Sequence, residues 1–194
     1  MSEDTLRYAG FWPRLGAALL DVVVLAPLTA FNIWGGFHFR LFEIYSYLPE
    51  VLFWLCFSVY LVKRFGGTPG KLLMGLRIRK LNGESVGYRE AFLRYVPYLV
   101  IDLLSPVGQI VAVLRMSAAE YYASSYLERN LHLQALTPGW CRWLDYLMAI
   151  WMLAEIIVFF SNRKRRAIHD YIAGTVVVHV RPEAKPVAAA AVSE

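Results

Sequence analysis

Four long apolar stretches, separated by more polar segments, dominate this chain. They cover about residues 11–34, 44–62, 92–114 and 143–161. Each approaches the roughly 20 residues that a helix needs to cross a hydrocarbon core about 30 Å thick. The pattern therefore predicts an all-α integral membrane protein with about four transmembrane helices.

The third stretch is the least regular of the four. It contains Pro97, Pro106 and Gly108 together with the charged Asp102. Proline and glycine interrupt helical hydrogen bonding, and broken backbone in a membrane must be shielded by other protein. The stretch is predicted to form either a kinked span or a re-entrant half-helix.

The polar segments predict smaller elements. Between the second and third stretches, Asn82-Gly83 is a turn signal flanked by short β-compatible runs, which predicts a small cytoplasmic β-hairpin between helices 2 and 3. Residues 117–142 predict an amphipathic helix on the outer surface. Residues 1–181 are expected to form a single domain, and residues 182–194, rich in Ala, Pro and Val, a disordered tail.

Composition agrees with a membrane location. The chain is 58% hydrophobic, with a mean hydropathy of +0.43, which exceeds what one soluble core of this size needs. The formal net charge is +5, but the basic residues gather at the ends of apolar stretches and do not form one face with interleaved aromatics. The expected partner is a bilayer with anionic headgroups, and no nucleic acid.

Lysine and arginine are divided unevenly between the two sides of this arrangement. With the N-terminus inside, sixteen of the 20 lie on the cytoplasmic side; the four outside are Arg40, Arg115, Arg129 and Arg142. Cytoplasmic loops are enriched in these residues. Both termini are therefore predicted to be cytoplasmic. The chain shows no organelle-targeting segment, so the expected location is a cell inner membrane.

Two charged residues stand in the first apolar stretch. Arg14 and Asp21 are seven residues apart, which places them on one face of a helix, and Asp21 would lie about 15 Å deep. Ionisable groups at that depth are costly and are usually paired or functional.

Three stretches carry recognisable motifs: AGFWPRLGAALLDVVVL, FGGTPGKLLMGLRIRKLNGESVGYREAFLR and RRAIHDYIAGTVVV. Together they resemble the RDD family of membrane proteins, which is named for an arginine and two aspartates. The resemblance implies that the arginine is Arg14, that the first aspartate is Asp21 and that the second is Asp170. A middle motif centres on Thr68, Pro69, Gly70 and Lys71. The family's suggested role is transport, with cation/proton exchange for some members. The irregular third stretch and the long outer segment depart from the simplest family pattern.

Arg14 and Asp170 are expected at the same depth, because Asp170 follows the basic run at the end of the fourth stretch. A bond between them would join the two ends of the chain. Two interpretations are open: Arg14 is a switch that pairs alternately with Asp21 and Asp170, or the bond is a fixed inter-helix salt bridge that sets packing.

Counted from the start of each span, Asp21, Asp102 and Glu155 all fall near mid-membrane, roughly 15 to 18 Å deep. Only Arg14 is available nearby as a countercharge, so at least one of these acids is expected to carry a proton and to be able to exchange it for a cation. The alternative is that the third span is shifted, which places Asp102 at the outer interface, and that Glu155 is protonated or hydrogen-bonded to Ser or Tyr.

The stretch from Gly66 to Lys71 lacks the spacing of a phosphate-binding loop and follows a helix instead of a strand. It is interpreted as a rigid cytoplasmic turn whose Lys71 meets headgroup phosphates. His169 is a candidate proton relay, or more simply a capping or bridging group beside Asp170. No serine has a candidate general base at a spacing that would suit catalysis, and the sequence contains no metal-ligand cluster. Neither an enzyme nor a cofactor is expected.

The leading hypothesis is a transport component for monovalent cation/proton exchange or a small solute. Asp21, with Asp102 and Glu155, would bind proton or cation, and Arg14 with Asp170 would gate the cytoplasmic end. Four helices alone form a narrow pathway, so transport predicts a homo-oligomer. The alternative is a non-transporting scaffold or assembly factor that binds a membrane-protein partner through its hairpin and outer segment.

Overall fold

The computed structural model of the protein describes residues 7–180. The predicted tail at 182–194 lies outside these residues. In the first half of the chain the elements are α1 (Phe11–His38), α2 (Phe42–Leu55), a π-helical turn (Cys56–Tyr60), α3 (Leu61–Phe65), α4 (Pro69–Leu73) and β1 (Leu76–Lys80). In the second half they are α5 (Tyr88–Arg115), α6 (Ala118–Ala123), α7 (Tyr126–Leu136), α8 (Gly139–Ser161), α9 (Ile168–Ile172) and β2 (Thr175–His179).

Four helical segments are long and apolar enough to cross a membrane, and this confirms the predicted class. They are Phe11–His38, Phe42–Leu73, Tyr88–Arg115 and Gly139–Ser161. Most of their large apolar side chains are exposed on the outside of the bundle, as on α8, where Ile150 and Ile157 are more than half exposed. Surfaces of this kind are stable in contact with lipid tails.

The third span is one continuous helix. Pro97 and Pro106 both lie inside α5, which nevertheless runs through 28 residues. Neighbouring helices in a membrane can satisfy the backbone groups that a proline leaves free, so an interior proline need not end a span. The departure from regular α-helix lies instead in the second span, at the π-helical turn Cys56–Tyr60.

The small antiparallel sheet is present, and its second strand comes from the far end of the chain. β1 pairs with β2 in a register that sets Leu76 opposite His179 and Lys80 opposite Thr175. The predicted hairpin is reduced to one bridge between Arg79 and Ser85 around a turn in which Gly83 has a φ of 85°. The buried apolar side chains of β1 and β2 face the ends of the helices, so both strands pack on the bundle.

The two ends of the bundle differ. One end, called the sheet end below, carries β1, β2, α4, α9 and the first turn of α1. At the other end, called the α6–α7 end, the guanidinium of Arg40 donates to the carbonyl oxygen of Val113 at 2.9 Å. The hydroxyl of Tyr121 donates to the carbonyl oxygen of Gly36. The assignment of the sheet end to the cytoplasm rests on the lysine and arginine distribution and stays a prediction.

Candidate functional site

Asp170 is fully buried at the start of α9. Its Oδ2 atom accepts a hydrogen bond from the backbone N–H of Ala167 at 3.2 Å, which caps the helix that contains it. Its Oδ1 atom accepts from the hydroxyl of Thr175, the first residue of β2, at 3.3 Å. A carboxylate at 0% exposure requires countercharge as well.

Two arginines supply that countercharge. Arg14 on α1 donates to Oδ2 of Asp170 at 3.0 Å, and Arg94 on α5 donates to Oδ1. The other nitrogens of Arg14 donate to the carbonyl oxygens of Arg165 at 2.7 Å and Ala9 at 3.3 Å. One carboxylate therefore joins α1, α5 and α9, and Arg94 had not been singled out in the sequence.

A third arginine holds the backbone around this centre. Arg166 donates from Nε to the carbonyl oxygen of Thr175 at 3.1 Å and from Nη2 to that of Asp170 at 3.0 Å. Its guanidinium lies 3.9 Å from the ring centroid of Tyr171. The backbone of α9 and the start of β2 are thereby fixed relative to each other.

His169 links α9 to α8. Its backbone N–H and its Nδ1 atom both lie in hydrogen-bond contact with Oε1 of Glu155, at 3.1 and 2.8 Å, and the hydroxyl of Tyr98 is 3.3 Å from Nδ1. Burial lowers the pKa of His169 to about 4, and the positive charge of Arg94 acts in the same direction. The imidazole is therefore neutral at pH 7 and bridges Glu155 by hydrogen bonding.

Asp21 is not bonded to the Asp170 network and instead holds α4 against α1. Its Oδ2 accepts from the hydroxyl of Thr68 at 2.6 Å and its Oδ1 from the backbone N–H of Gly70 at 2.7 Å. The carboxylate of α1 thus satisfies an N–H group in the first turn of α4. A Cβ atom at Gly70 would overlap the carbonyl oxygen of Ala17, so only glycine allows α4 to approach α1 this closely.

The sequence-predicted site residues consequently fall into separate groups. Arg14 is bonded to Asp170, whereas Asp21 is bonded to the Thr68-Pro69-Gly70-Lys71 turn. The expected mid-membrane trio is not assembled, because Asp21, Asp102 and Glu155 each have their own partners. Counting depth along each helix gave similar heights, but it could not show which face of the bundle each carboxylate occupies.

Asp102 accepts a hydrogen bond from the hydroxyl of Tyr95, two turns earlier on α5, at 2.6 Å. It also lines a cavity of about 210 Å³ between α2 and α5, and Glu50 of α2 lines the same cavity. The other lining residues are Tyr47, Val51, Trp54, Ile101, Ser105 and Pro106. No lysine, arginine or histidine of residues 7–180 lines this cavity.

Further polar residues follow the contact between α2 and α5, which we call the α2–α5 seam. On α5, Tyr95, Asp102 and Gln109 are spaced by seven residues and so share a face, as do Glu43 and Glu50 on α2. Two further cavities lie next to the ends of the seam. The one at the α6–α7 end, of about 340 Å³, is lined by Glu43 and Gln109 together with Arg129 and residues of α1, α6 and α7. The one at the sheet end, of about 220 Å³, is lined by Tyr95 together with Lys71, Arg94 and His169.

Sequence reasoning missed Glu43 and Glu50, although their signal is visible. Glu50 is the only acid within the apolar stretch 44–62, Glu43 directly precedes that stretch, and their spacing of seven repeats the spacing between Tyr95 and Asp102. Arg94 gives no such signal in the sequence, because it follows closely on the basic residues of β1 and of the first turn of α5.

The acidic, histidine and cysteine side chains of the described residues do not form a metal-binding cluster. Among residues 7–180 no group of three or more His, Cys, Asp or Glu side chains is placed to hold a metal ion. Glu50 and Asp102 are a pair, which suits a transient proton or monovalent ion better than a resident metal with several protein ligands.

Comparison with known proteins places these residues in a described family. The family model that matches residues 8–174 is the RDD family. The uncharacterized membrane protein YteJ of Bacillus subtilis (strain 168) is 27% identical over 197 residues, covering 90% of this chain and 83% of that protein. The uncharacterized protein YckC of the same organism is 26% identical over 183 residues, covering 90% and 86%. No solved structure was found to match the chain.

Proposed function

This chain belongs to the RDD family of membrane proteins, and from that premise we propose that it exchanges a monovalent cation for a proton across the membrane. The proposed ion site is the cavity of the α2–α5 seam that Glu50 and Asp102 share. The earlier hypothesis of a site on Asp21 is set aside, because the carboxylate of Asp21 is occupied by α4.

The observation that carries the proposal is the pairing of Glu50 and Asp102 in one cavity without a basic side chain. Asp102 lies fourteen residues into the 28-residue α5, at its middle. Glu50 lies eight residues into α2, roughly 12 Å from its start. An ionised carboxylate within a membrane needs a cation or a proton as its partner. Two such groups sharing one cavity provide a site that either ion can occupy.

We infer that cavities on either side of the site give it access towards both membrane faces. The cavity of Glu43 and Gln109 lies on its α6–α7 side, and the cavity that contains Tyr95, Tyr98 and Ser58 lies on its sheet side. The hydroxyl of Tyr95 donates to Asp102, and Tyr95 also lines the sheet-side cavity. Exchange would proceed by opening one side at a time.

In this account the Arg14 and Asp170 pair is a fixed support for the sheet end and does not switch to Asp21. We place the protein in a cell inner membrane with the sheet end in the cytoplasm, following the positive-inside distribution. A bundle of four helices leaves little room for a moving gate, so we expect a homo-oligomer.

Flux measurements test the proposal. Purified protein is reconstituted in liposomes that contain a pH dye, and proton movement is followed after addition of Na⁺, K⁺ or Li⁺. The wild-type protein should show cation-driven proton movement, and Glu50→Gln and Asp102→Asn should each reduce its rate at least tenfold. Each variant removes one charge of the site at nearly constant volume.

Glu84→Gln is the matched control, because Glu84 is exposed in the turn between β1 and α5. It should keep the wild-type rate. If folded wild-type protein gives no flux with any of the three cations, the exchange proposal fails. The non-transporting scaffold then becomes the better hypothesis, since every carboxylate of the sheet-end network is held by donors of the protein itself.

A further inference from the structure

A second cavity at the sheet end shares Lys71, Arg94 and His169 with the cavity of about 220 Å³ described above, and its other walls are different. Its volume is about 260 Å³, and it lies between α1 and α8. The cavity is lined by residues of α1 and α8 and by four residues of other segments. Those of α1 and α8 are Phe11, Arg14, Leu15, Glu155, Ile156, Phe159 and Phe160, and the other four are Lys71, Arg94, Ala167 and His169. It therefore combines a charged interior with apolar walls.

The interior presents hydrogen-bond donors that the protein does not use. The ammonium of Lys71 has one hydrogen-bond partner within the described part of the chain, the hydroxyl of Thr68 at 3.3 Å. Arg94 donates both of its hydrogen bonds from Nη1, which leaves Nε and Nη2 without an acceptor among residues 7–180. Fixed donors of this type suit the oxygens of a phosphate.

The charges at this end are also unbalanced. Glu155 lines the cavity, but its Oε1 already accepts two hydrogen bonds from His169. Among the described side chains that line the cavity or are hydrogen-bonded into the network around it, four are cationic and three are carboxylates. They are Arg14, Lys71, Arg94 and Arg166, and Asp21, Glu155 and Asp170. One positive charge remains, and an anion in the cavity would neutralise it.

The rim of the cavity is apolar and exposed. Leu15 on α1 is 37% exposed, and Ile156 and Phe160 on α8 are 48% and 53% exposed. These residues belong to membrane-spanning helices, so the cavity opens towards lipid. Arg14 is the fourth residue of α1, which sets the cationic interior near the depth of the headgroups.

We propose that this cavity binds an anionic phospholipid, with the phosphate at Lys71 and Arg94 and the acyl chains along Leu15, Ile156 and Phe160. A free phosphate shares the anionic chemistry but makes no use of the apolar rim. The lipid site is separate from the proposed ion site, because Glu50 and Asp102 line a different cavity. Lys71 and Arg94 also line the cavity on the sheet side of the seam.

Native mass spectrometry of the full-length protein tests the proposal. The protein in nonionic detergent is mixed with equal amounts of phosphatidylglycerol and phosphatidylcholine, and single-lipid adducts are counted. Phosphatidylglycerol should bind at least tenfold more tightly. Lys71→Gln should remove most of that preference, whereas Lys63→Gln, at an exposed lysine of α3, should leave it unchanged.

A second pair of variants tests the apolar rim without altering charge. Ile156→Trp narrows the opening and should weaken phosphatidylglycerol binding at least fivefold, while Ile157→Trp, on the neighbouring lipid-facing position, should not. Equal binding of the two lipids by the wild-type protein would overturn the proposal. Inorganic phosphate that binds as tightly as phosphatidylglycerol would identify a free anion as the ligand and overturn the lipid assignment.

Discussion

At the scale of single residues, Asp170 carries the densest set of contacts. Its two oxygens accept hydrogen bonds from Arg14, Arg94, Ala167 and Thr175. The family resemblance identified Asp170 and Arg14, and depth placed them at the same level. Neither the resemblance nor the depth could identify Arg94 or Thr175, because both residues reach Asp170 only after α5 and β2 have packed against α9.

Asp170→Asn should destabilise the protein strongly. The substitution keeps the size of the side chain but leaves Arg14 and Arg94 without a countercharge, and breaking a buried ion pair typically costs about 3–5 kcal/mol. A drop of several degrees in the thermal unfolding midpoint in detergent is expected. Glu84→Gln, which removes only a surface contact to Lys80 at 3.9 Å, should leave the midpoint within a degree or so. Equal midpoints for the two variants would contradict this assignment.

His169 should make stability depend on pH. Its folded-state pKa of about 4 lies below the usual value near 6.5, so between these values the unfolded chain binds more protons than the folded protein. The stabilisation is complete above about pH 6.5 and is lost as the pH falls towards 4. The thermal midpoint of the wild-type protein should fall between pH 7 and pH 5.

His169→Asn supplies the comparison for that pH series. Because Asn cannot titrate, the variant should show a smaller fall in the midpoint over the same range, even though its midpoint at pH 7 is lower. Parallel curves for the two proteins would show that other groups cause the pH dependence.

Asp21 illustrates why a single substitution can mislead. Its carboxylate caps α4 through Thr68 and Gly70, so Asp21→Asn should weaken the contact between α1 and α4 whatever the protein does. Loss of activity in this variant would therefore not identify an ion site, and Glu50 and Asp102 are the more informative positions.

At the scale of elements, the packing of α4 on α1 depends on one glycine. A Cβ atom at Gly70 would overlap the carbonyl oxygen of Ala17 and would lie 2.8 Å from the backbone nitrogen of Asp21. Gly70→Ala should lower stability by about 2 kcal/mol or more, because backbone must move to admit the methyl group.

Gly36→Ala is the control for that prediction. Gly36 also lies in α1, and a Cβ atom there meets nothing within 4 Å. The thermal midpoint of Gly36→Ala should equal or exceed that of the wild-type protein, since alanine favours the helix. A similar loss of stability in both variants would show that the close approach of α4 is not the cause.

The elements themselves were largely predictable, and their pairing was not. A local apolar run predicts each membrane helix, so the position of the helix follows from the residues of that segment alone. β1 and β2 are nearly 100 residues apart, and the register that sets Ile78 opposite Val177 arises only when the helices bring the two ends together. The local Asn82-Gly83 signal did produce a turn, but it could not show that β2 takes the place of the second hairpin strand.

At the scale of the whole molecule, the bundle has two polar regions with different properties. At the sheet end every carboxylate of the network has fixed donors. Along the α2–α5 seam, Glu50 and Asp102 share a cavity without a basic side chain among the described residues. The network at the sheet end suits a structural support of the fold, and the cavity of the seam suits the reversible binding of an ion.

The orientation of the molecule can be measured directly. The positive-inside distribution predicts that the sheet end faces the cytoplasm. A cysteine introduced at Glu84, with the native cysteines replaced, should react in intact cells only with a membrane-permeant thiol reagent. A cysteine at Leu127 on α7 should also react with an impermeant reagent. The reverse pattern would invert the topology.

Proton release on cation binding tests the exchange proposal most directly. Purified protein in detergent, in weakly buffered solution with a pH dye, is titrated with Na⁺, K⁺ or Li⁺, and with choline to control for ionic strength. The account predicts that one of the cations releases protons from the wild-type protein, and that the folded double variant Glu50→Gln Asp102→Asn releases none. Undiminished release from the double variant would contradict an ion site at Glu50 and Asp102.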